Sequence, residues 1–424
     1  MKNEYISVQQ AARRWDISDS RASVLCEDEK IPGVIKDSKS NRIKDGAVKL
    51  VDGHEKSKTQ STAVRFLKWR NDIIGVIDAT NAVSFVKPDF NEVVSIYTHG
   101  AKSWTYDQLT EFLSERAVSR DRRDIERILF RCGLSYYDVL RITEITRAIH
   151  PKDLLWVANA EDERLEDVIT DVFGSVFYQR VDLVGDSIDT PEGYNIKRYG
   201  VYNRQYGIYK QRINPLTCDV ESEVAVYLLA QKLGVPCCPA YRVDKDTVFS
   251  AFLFDFSKEY IVHFRRLFDG ERSENEYQNL INIRPQYKDD IARMILLDFI
   301  TRQDDRHLSN FSIKISGDES FYPLYDSGRS LFYEDTEEMV QQAVADPKMY
   351  ATTFGYSGTY WDYAREIADE RGGLQGLINL EISESDVDDI LKEAGFTGYR
   401  FDGASAWIMK TIDLIRTIIY ESQA

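Results

Sequence analysis

The run Asp304-Asp305-Arg306-His307-Leu308-Ser309-Asn310, with Asp326 sixteen residues after the asparagine, collects groups that could move a phosphoryl group. Such a transfer needs little covalent chemistry from the protein; it needs positioning and charge neutralisation. One carboxylate must orient an attacking hydroxyl, a task for Asp305. An amide oxygen and a second carboxylate must hold Mg²⁺ against ATP phosphates, a task for Asn310 and Asp326.

The surrounding sequence supplies elements that position these groups. Tyr287 to Ile300 carries Ile291, Met294, Ile295 and Asp298 at helical spacing. Asn310 to Ser316 reads as a short strand, Gly317-Asp318-Glu319 as a turn, and Phe321 to Tyr325 as a second strand ending at the aspartate. Upstream, Tyr178 to Gly185, Tyr194 to Val201 and Gln205 to Ile213 read as three strands, with glycines at 185, 193, 200 and 207 punctuating them as hairpin turns, followed by a helix from about Val220 to Leu233. Strands at Ala240 to Val243 and Val248 to Phe254 lead to a candidate adenine-contacting hinge, Phe252 to Ser257. Ile408, Ile412, Ile415 and Ile419 form the core stripe of a closing helix.

Asp305 to Asn310 is the five-residue step of the protein-kinase loop D-x-x-x-x-N. The segment Asp305-Arg306-His307-Leu308-Ser309-Asn310, in the order helix, loop, hairpin, aspartate, resembles the HipA-like toxin kinases over roughly residues 110–420. The resemblance implies a bilobal kinase fold, ATP and Mg²⁺ as cofactors, and a protein Ser or Thr as acceptor. It places catalytic-base duty on Asp305 and metal duty on Asn310 and Asp326, with Arg306 and His307 completing the catalytic loop and His307 in a supporting part. On the same template the third strand carries a phosphate lysine, Lys210, with Lys197 as runner-up, and Glu223 is its partner, with Glu221 as the alternative. The loop Asp186 to Gly193 would cover the phosphates. It carries Asp186, Asp189 and Glu192, which repel triphosphate unless they face away. Ser187 and Thr190 are the hydroxyls there that could serve an inhibitory phosphorylation, and Gly193 closes the loop.

At 424 residues the chain is too long for one ordinary core. The expected architecture is α+β, with a small winged helix-turn-helix domain ahead of the bilobal kinase-like fold. The expected divisions are a helix-turn-helix module at 1–51, a linker at 52–62, an accessory region at 63–175, an N-lobe at 176–256 and a C-lobe at 257–424. In the first, Ile6, Val8, Ala11, Ala12 and Trp15 share a helix face, with Ser7 as N-cap; a turn at Ile17-Ser18-Asp19 leads to a second helix ending near Lys30. Val34 to Ile43 reads as a hairpin wing. This segment resembles excisionase and MerR-type modules, in which the second helix enters the DNA major groove. Candidate DNA contacts are Ser20, Arg21 and Ser23 on that helix and Lys36, Lys39 and Arg42 on the wing, with promoter DNA and an antitoxin as implied partners.

The accessory region offers strands at Ile73 to Ile77 and Val93 to Tyr97, and helices at Tyr106 to Leu113, Arg123 to Cys132 and Tyr137 to Thr146. LLWVAN at 154–159 reads as an exposed turn into a strand. A net charge of −16 argues against general nucleic-acid binding. Residues 1–55 hold ten Lys/Arg and ten Asp/Glu, so the whole deficit lies beyond them. The five cysteines form no CxxC pair, which disfavours zinc and points to reduced thiols in cytoplasm. No apolar run approaches the ~18 residues of a membrane span, and the start lacks a signal-peptide core. Two other functions stay open: a transcriptional regulator with a nucleotide-sensing, non-catalytic kinase-like body, and a small-molecule or lipid kinase, since phosphoinositide kinases share a D-R-H-x-x-N loop.

Overall fold

The computed structural model describes residues 64–118, 120, 125–131, 133–150, 152–168, 196–212, 214–255, 258–268, 275–352 and 358–422, together with the backbone of 5–7, 34–37 and 40–44. Those last three segments are strands β1 (Tyr5–Ser7), β2 (Val34–Asp37) and β3 (Ser40–Lys44), an antiparallel sheet in the order β1-β3-β2. Val34 pairs with Ile43 and Asp37 with Ser40, the strand pairing of the expected wing. Ile6 lies in a strand rather than on a helix face. Both helices read here, with Ser20, Arg21, Ser23 and Lys39, lie outside the described residues, as does the linker.

The next unit is a five-stranded sheet. Its elements are β4 (Arg65–Trp69), β5 (Asp72–Ile77), β6 (Val83–Phe85), α1 (Glu92–Thr98), β7 (Ser103–Trp104), α2 (Tyr106–Ser114), α3 (Ile125–Arg131), α4 (Val139–Thr146) and β8 (Leu155–Ala158), with sheet order β7-β6-β5-β4-β8. Two expectations are corrected. Val93 to Tyr97, read as a strand from its β-branched residues, is helical. Asn91 caps it by accepting from Val94 N at 2.9 Å, and Val93, Val94 and Tyr97 bury one side of the turn. Residues 154–159 hold the expected strand, β8, but its approach is not exposed: Leu154 and every residue of β8 are buried. Its two faces serve two cores. Leu155 and Val157 pack with the helices of this unit, whereas Trp156 and Ala158 pack in the cluster that holds Tyr199.

Tyr199 belongs to the following sheet, built from β9 (Ile196–Tyr202), β10 (Gln205–Gln211), β11 (Ala240–Arg242) and β12 (Thr247–Ala251) in the order β11-β12-β10-β9, with helix α5 (Asp219–Leu233) before β11. Asn203 and Arg204 both have positive φ (48° and 65°), as a two-residue hairpin turn requires, and the register sets Lys210 opposite Lys197. The strand expected at 178–185 and the loop with Ser187, Thr190 and Gly193 lie outside the described residues.

The rest is mainly helical. β13 (Tyr260–His263) leads to α6 (Glu276–Ile283) and α7 (Lys288–Thr301), then to β14 (Ser312–Ile315) and β15 (Glu319–Phe321), with β14 pairing both β13 and β15. The second strand of the hairpin thus ends at Phe321. Leu324, read as part of it, instead bridges to Cys237 beside β11. Helices α8 (Glu337–Ala345), α9 (Tyr360–Arg371), α10 (Glu384–Ala394) and α11 (Gly398–Glu421) follow. Ile408, Ile412 and Ile415 are fully buried, and Ile419 is only partly buried while Ile418 takes the buried place. Trp407 of the same helix donates to Phe299 O at 3.0 Å, which seats α11 behind α7. Among the described residues no helix is long and apolar enough to cross a membrane.

Gly207 of β10 lies against β12 with no room for a side chain. A Cβ there would stand 2.2 Å from Ser250 O and 2.6 Å from Phe249 Cζ. A methyl group must push these strands apart, and overpacking of this kind costs about 1–3 kcal/mol. Gly207→Ala should therefore lower stability by that amount in urea denaturation; an unchanged midpoint would show that the two strands separate at no cost.

Candidate active site

Helix α7 ends at Arg302, whose φ of 47° turns the chain out of the helix, and the loop from Gln303 to Asn310 begins there. The loop is organised around Arg306, which is completely buried. Its Nε and Nη2 donate to the Asp298 carboxylate at 3.0 Å each, and its Nη1 donates to Asn310 O at 2.9 Å and Tyr325 O at 2.8 Å. One guanidinium therefore ties the helix, the end of the loop and the approach to Asp326. Burial opposes its charge, but Asp298 outweighs burial and keeps it protonated. Arg306 does not line the cavity, so its part in the site is structural. His307 is exposed, and its Nδ1 accepts from Ser309 N at 3.2 Å.

Asp305 lines the cavity with about a third of its side chain exposed. Burial raises its carboxyl above the ordinary value; Asp326 adds to this, and Arg329, His307 and Lys197 oppose it. Burial pushes its neighbour Asp304 up to about 6, against Arg329 and Arg302. Asn310 donates from Nδ2 to Asp305 O at 2.6 Å, which leaves Oδ1 as its remaining acceptor. Asp326 sits at φ 58°, a left-handed conformation uncommon outside glycine, asparagine and aspartate.

The sheet presents two lysines to Asp326. Lys210 Nζ is 2.9 Å from Oδ1 and also donates to Glu223 on α5; Lys197 Nζ is 3.3 Å from Oδ2. Burial would raise the Asp326 carboxyl, yet the two ammonium groups override it and hold the group well below the usual carboxylate range. Glu221 is not brought to the site. It takes Arg212 Nη1 at 2.7 Å and Arg242 Nη2 at 2.6 Å, on another side of α5. Lys210 and Lys197 are therefore joint occupants rather than rivals. The strand register across the two-residue turn at Asn203-Arg204 makes positions 197 and 210 partners on one face.

These groups line one cavity of about 820 Å³. Tyr199, Ile208, Ala251, Phe252, Phe254 and Ile261 give it an apolar flank. Of the expected hinge, Phe256 and Ser257 lie outside the described residues, and Leu253 N donates to Tyr322 OH at 2.9 Å. Sequence reasoning missed the wall that the accessory unit supplies, including Arg116, His150 and Lys152. Lys152 approaches His263 Nε2 at 3.5 Å, and His263 Nδ1 lies 3.0 Å from Tyr325 OH, one residue before Asp326. Burial holds both His150 and His263 well below the usual histidine value, so they are neutral near pH 7. Arg329 was missed too; it reaches Asp304 at 3.3 Å and Asp305 at 3.9 Å. None of these carries a local sequence signal, since each depends on long-range packing.

Among the described residues no group of three or more His, Cys, Asp or Glu could hold a metal ion unaided. Asn310 Oδ1 and the Asp326 carboxylate, whose two oxygens face Lys210 and Lys197, are of the oxygen-donor type that could hold Mg²⁺, which takes one or two protein oxygens and completes its shell with phosphate and water. Asp298→Ala should be severely destabilising, by about 3–5 kcal/mol, because it leaves the Arg306 charge buried without its partner. Chemical denaturation measures this, and a loss below 1 kcal/mol would mean that the loop is held by other bonds.

No family model matches the chain, and no curated protein matches it. Solved structures similar to it at low identity include the following two. The proinflammatory kinase CtkA of Helicobacter pylori is 15% identical with a TM-score of 0.47, covering 59% of this chain and 98% of its own. HipA of the Shewanella oneidensis MR-1 toxin–antitoxin system, solved with HipB and operator DNA, is 14% identical with a TM-score of 0.47, covering 84% of this chain and 99% of its own.

Proposed function

We propose that this chain is an ATP- and Mg²⁺-dependent kinase that phosphorylates Ser or Thr on a protein. The observation that carries the reading is the convergence of Lys210, Glu223 and Asp326 in a cavity also lined by Asp305 and Asn310. A strand lysine paired to a helix glutamate beside a metal-type aspartate is the phosphate-clamping arrangement of kinases. In this reading Asp305 orients the acceptor hydroxyl and takes its proton. Lys210, held by Glu223, binds phosphate oxygens, and Lys197 adds a second positive charge on the same face. Asn310 and Asp326 would hold Mg²⁺, which supplies neutralisation of the phosphates when bound. The protein acceptor rests on the resemblance of the Asp305–Asn310 loop to HipA-like kinases. So do the divisions at 176–256 and 257–424 as lobes, with 63–175 as the accessory region and Ser187, Thr190 and Gly193 in the phosphate loop.

The test is incubation with labelled ATP and Mg²⁺, with and without cell lysate, followed by a search for labelled protein. ATP at about 100 times its Kd should stabilise the fold by about 2.7 kcal/mol in thermal denaturation. That gain should require Mg²⁺ and shrink in Asp326→Ala; equal stabilisation in EDTA would sink the metal assignment. Asp305→Asn should keep nucleotide affinity while lowering phosphotransfer by about 10²–10⁴-fold. Lys210→Met should weaken ATP binding far more than Lys197→Met, because only Lys210 is held by Glu223.

Residues 1–51 form, in the same proposal, a DNA-reading module joined by the linker at 52–62, with Ser20, Arg21, Ser23, Lys36, Lys39 and Arg42 as contacts. Its partners would be promoter DNA and an antitoxin, in cytoplasm. The pairing of β2 with β3 and the neutrality of residues 1–55 support it. Arg21→Ala should lose sequence preference, whereas Lys39→Ala should weaken all sequences and reduce the salt slope by about one phosphate contact. Phosphotransfer should survive deletion of residues 1–55. Loss of activity on deletion, with no DNA preference in the full chain, would make the segment a structural part.

A further inference from the structure

Gln303 is fully buried at the first position of the loop, and both atoms of its side-chain amide are used. Its Oε1 accepts from Asp305 N at 3.0 Å, and its Nε2 donates to Asp326 O at 3.3 Å. Its own backbone is anchored separately: its N–H donates to Asp298 O at 2.9 Å, and its carbonyl accepts from Tyr360 OH at 3.2 Å. The side chain is thus not needed to hold residue 303 in place. It spans the two backbone segments that carry the two functional aspartates.

Burying an amide costs free energy unless both its atoms find partners, so an apolar side chain is the ordinary occupant of such a position. Here the two partners belong to segments twenty-one residues apart in the chain. Asp326 is also in a left-handed conformation, which persists only where surrounding bonds over-determine it. The bond to its carbonyl is one such restraint. Arg306 supplies the neighbouring one at Tyr325 O. The two restraints differ in kind. Arg306 ties the hairpin to the helix, whereas Gln303 ties one aspartate to the other.

We infer that Gln303 is a positioning residue whose amide sets the spacing between Asp305 and Asp326, and so the alignment of acceptor hydroxyl and phosphate; the inference rests on the kinase reading above. Errors of about 1 Å in such alignment cost up to about a hundredfold in rate while leaving binding largely intact.

Gln303→Met keeps side-chain length and volume but removes both bonds. In the full chain with saturating Mg²⁺ and ATP, kcat per nucleotide-binding site should fall by about tenfold to a hundredfold, while KM for ATP stays within about threefold. Backbone amide exchange in the peptide spanning residues 303–307 should accelerate, because the Asp305 N–H loses its acceptor. A purely structural role would lower the number of nucleotide-binding sites and leave kcat per site unchanged, which would overturn the inference. Equal loss of kcat and nucleotide affinity would overturn it as well, by making Gln303 a determinant of metal or ATP binding. Should Gln303→Met fail to fold, Gln303→Asn, with its amide drawn back by one methylene, is read by the same measurements; failure of both to fold makes the residue structural and also overturns the inference. A wild-type chain with no ATP-dependent phosphotransfer would instead count against the proposed function, whereas an active wild type matched by its Gln303 variants would count against this inference alone.

Discussion

The candidate site depends on a single buried charge pair. Arg306 and Asp298 are both completely buried, and the guanidinium has donors left over after the carboxylate is satisfied. Those spare donors go to two backbone carbonyls, one at Asn310 and one at Tyr325. An apolar pair could fill the same volume at less desolvation cost, but it could not bond both of these backbone carbonyls. The planar fork of arginine suits this task because its donors diverge in fixed directions. Loop residues that must be irregular are thereby held to a helix that is regular.

Charge balance shapes the cavity next. Lys197 and Lys210 stand opposite Glu223 and Asp326, so the four groups cancel. Each is mostly or partly removed from water, and an uncancelled charge there would cost several kcal/mol. In the proposed function, both lysines and Asp326 carry charge that an incoming polyanion with its own metal would use. Asp305 lies outside this cluster, flanked by Arg329, and its carboxyl is raised by burial rather than lowered by a close lysine. A carboxyl shifted upward is better suited to accept a proton than one held by two ammonium groups.

The accessory unit is part of the site rather than an appendage. β8 is buried on both faces because it joins two cores, and Ile261 N donates to Lys152 O across the junction. Arg265 and Arg266 reach Glu115 on the same border, and Arg70 donates to Tyr260 OH. These contacts bring Lys152 and His150 to the cavity wall, where they meet His263 and Tyr325 just ahead of Asp326.

By itself the sequence determined the parts whose signals are local. The 3.6-residue stripe of α7, the loop residues between α7 and β14 and the isoleucine stripe of α11 all follow from spacing that neighbouring residues impose. Gly200 and Gly207, read as hairpin turns, instead pair with each other inside the β9–β10 ladder, and the turn falls at Asn203-Arg204. The order of Lys210, Glu223 and Asp326 along the chain was also legible, and tertiary structure brings the three together. Local signals misled where packing competed with them. Val93 to Tyr97 has strand propensity, yet the Asn91 cap and a one-sided apolar pattern make it helical. The turn into β8 looked exposed because nothing within the stretch announces that two cores meet there. Only tertiary structure decided that Lys197 joins Lys210, that Glu221 turns to Arg212 and Arg242, and that Gln303 reaches both aspartates. Each of these is settled by strand register or by contacts between segments far apart in the chain, and such contacts leave no periodicity for a sequence to display.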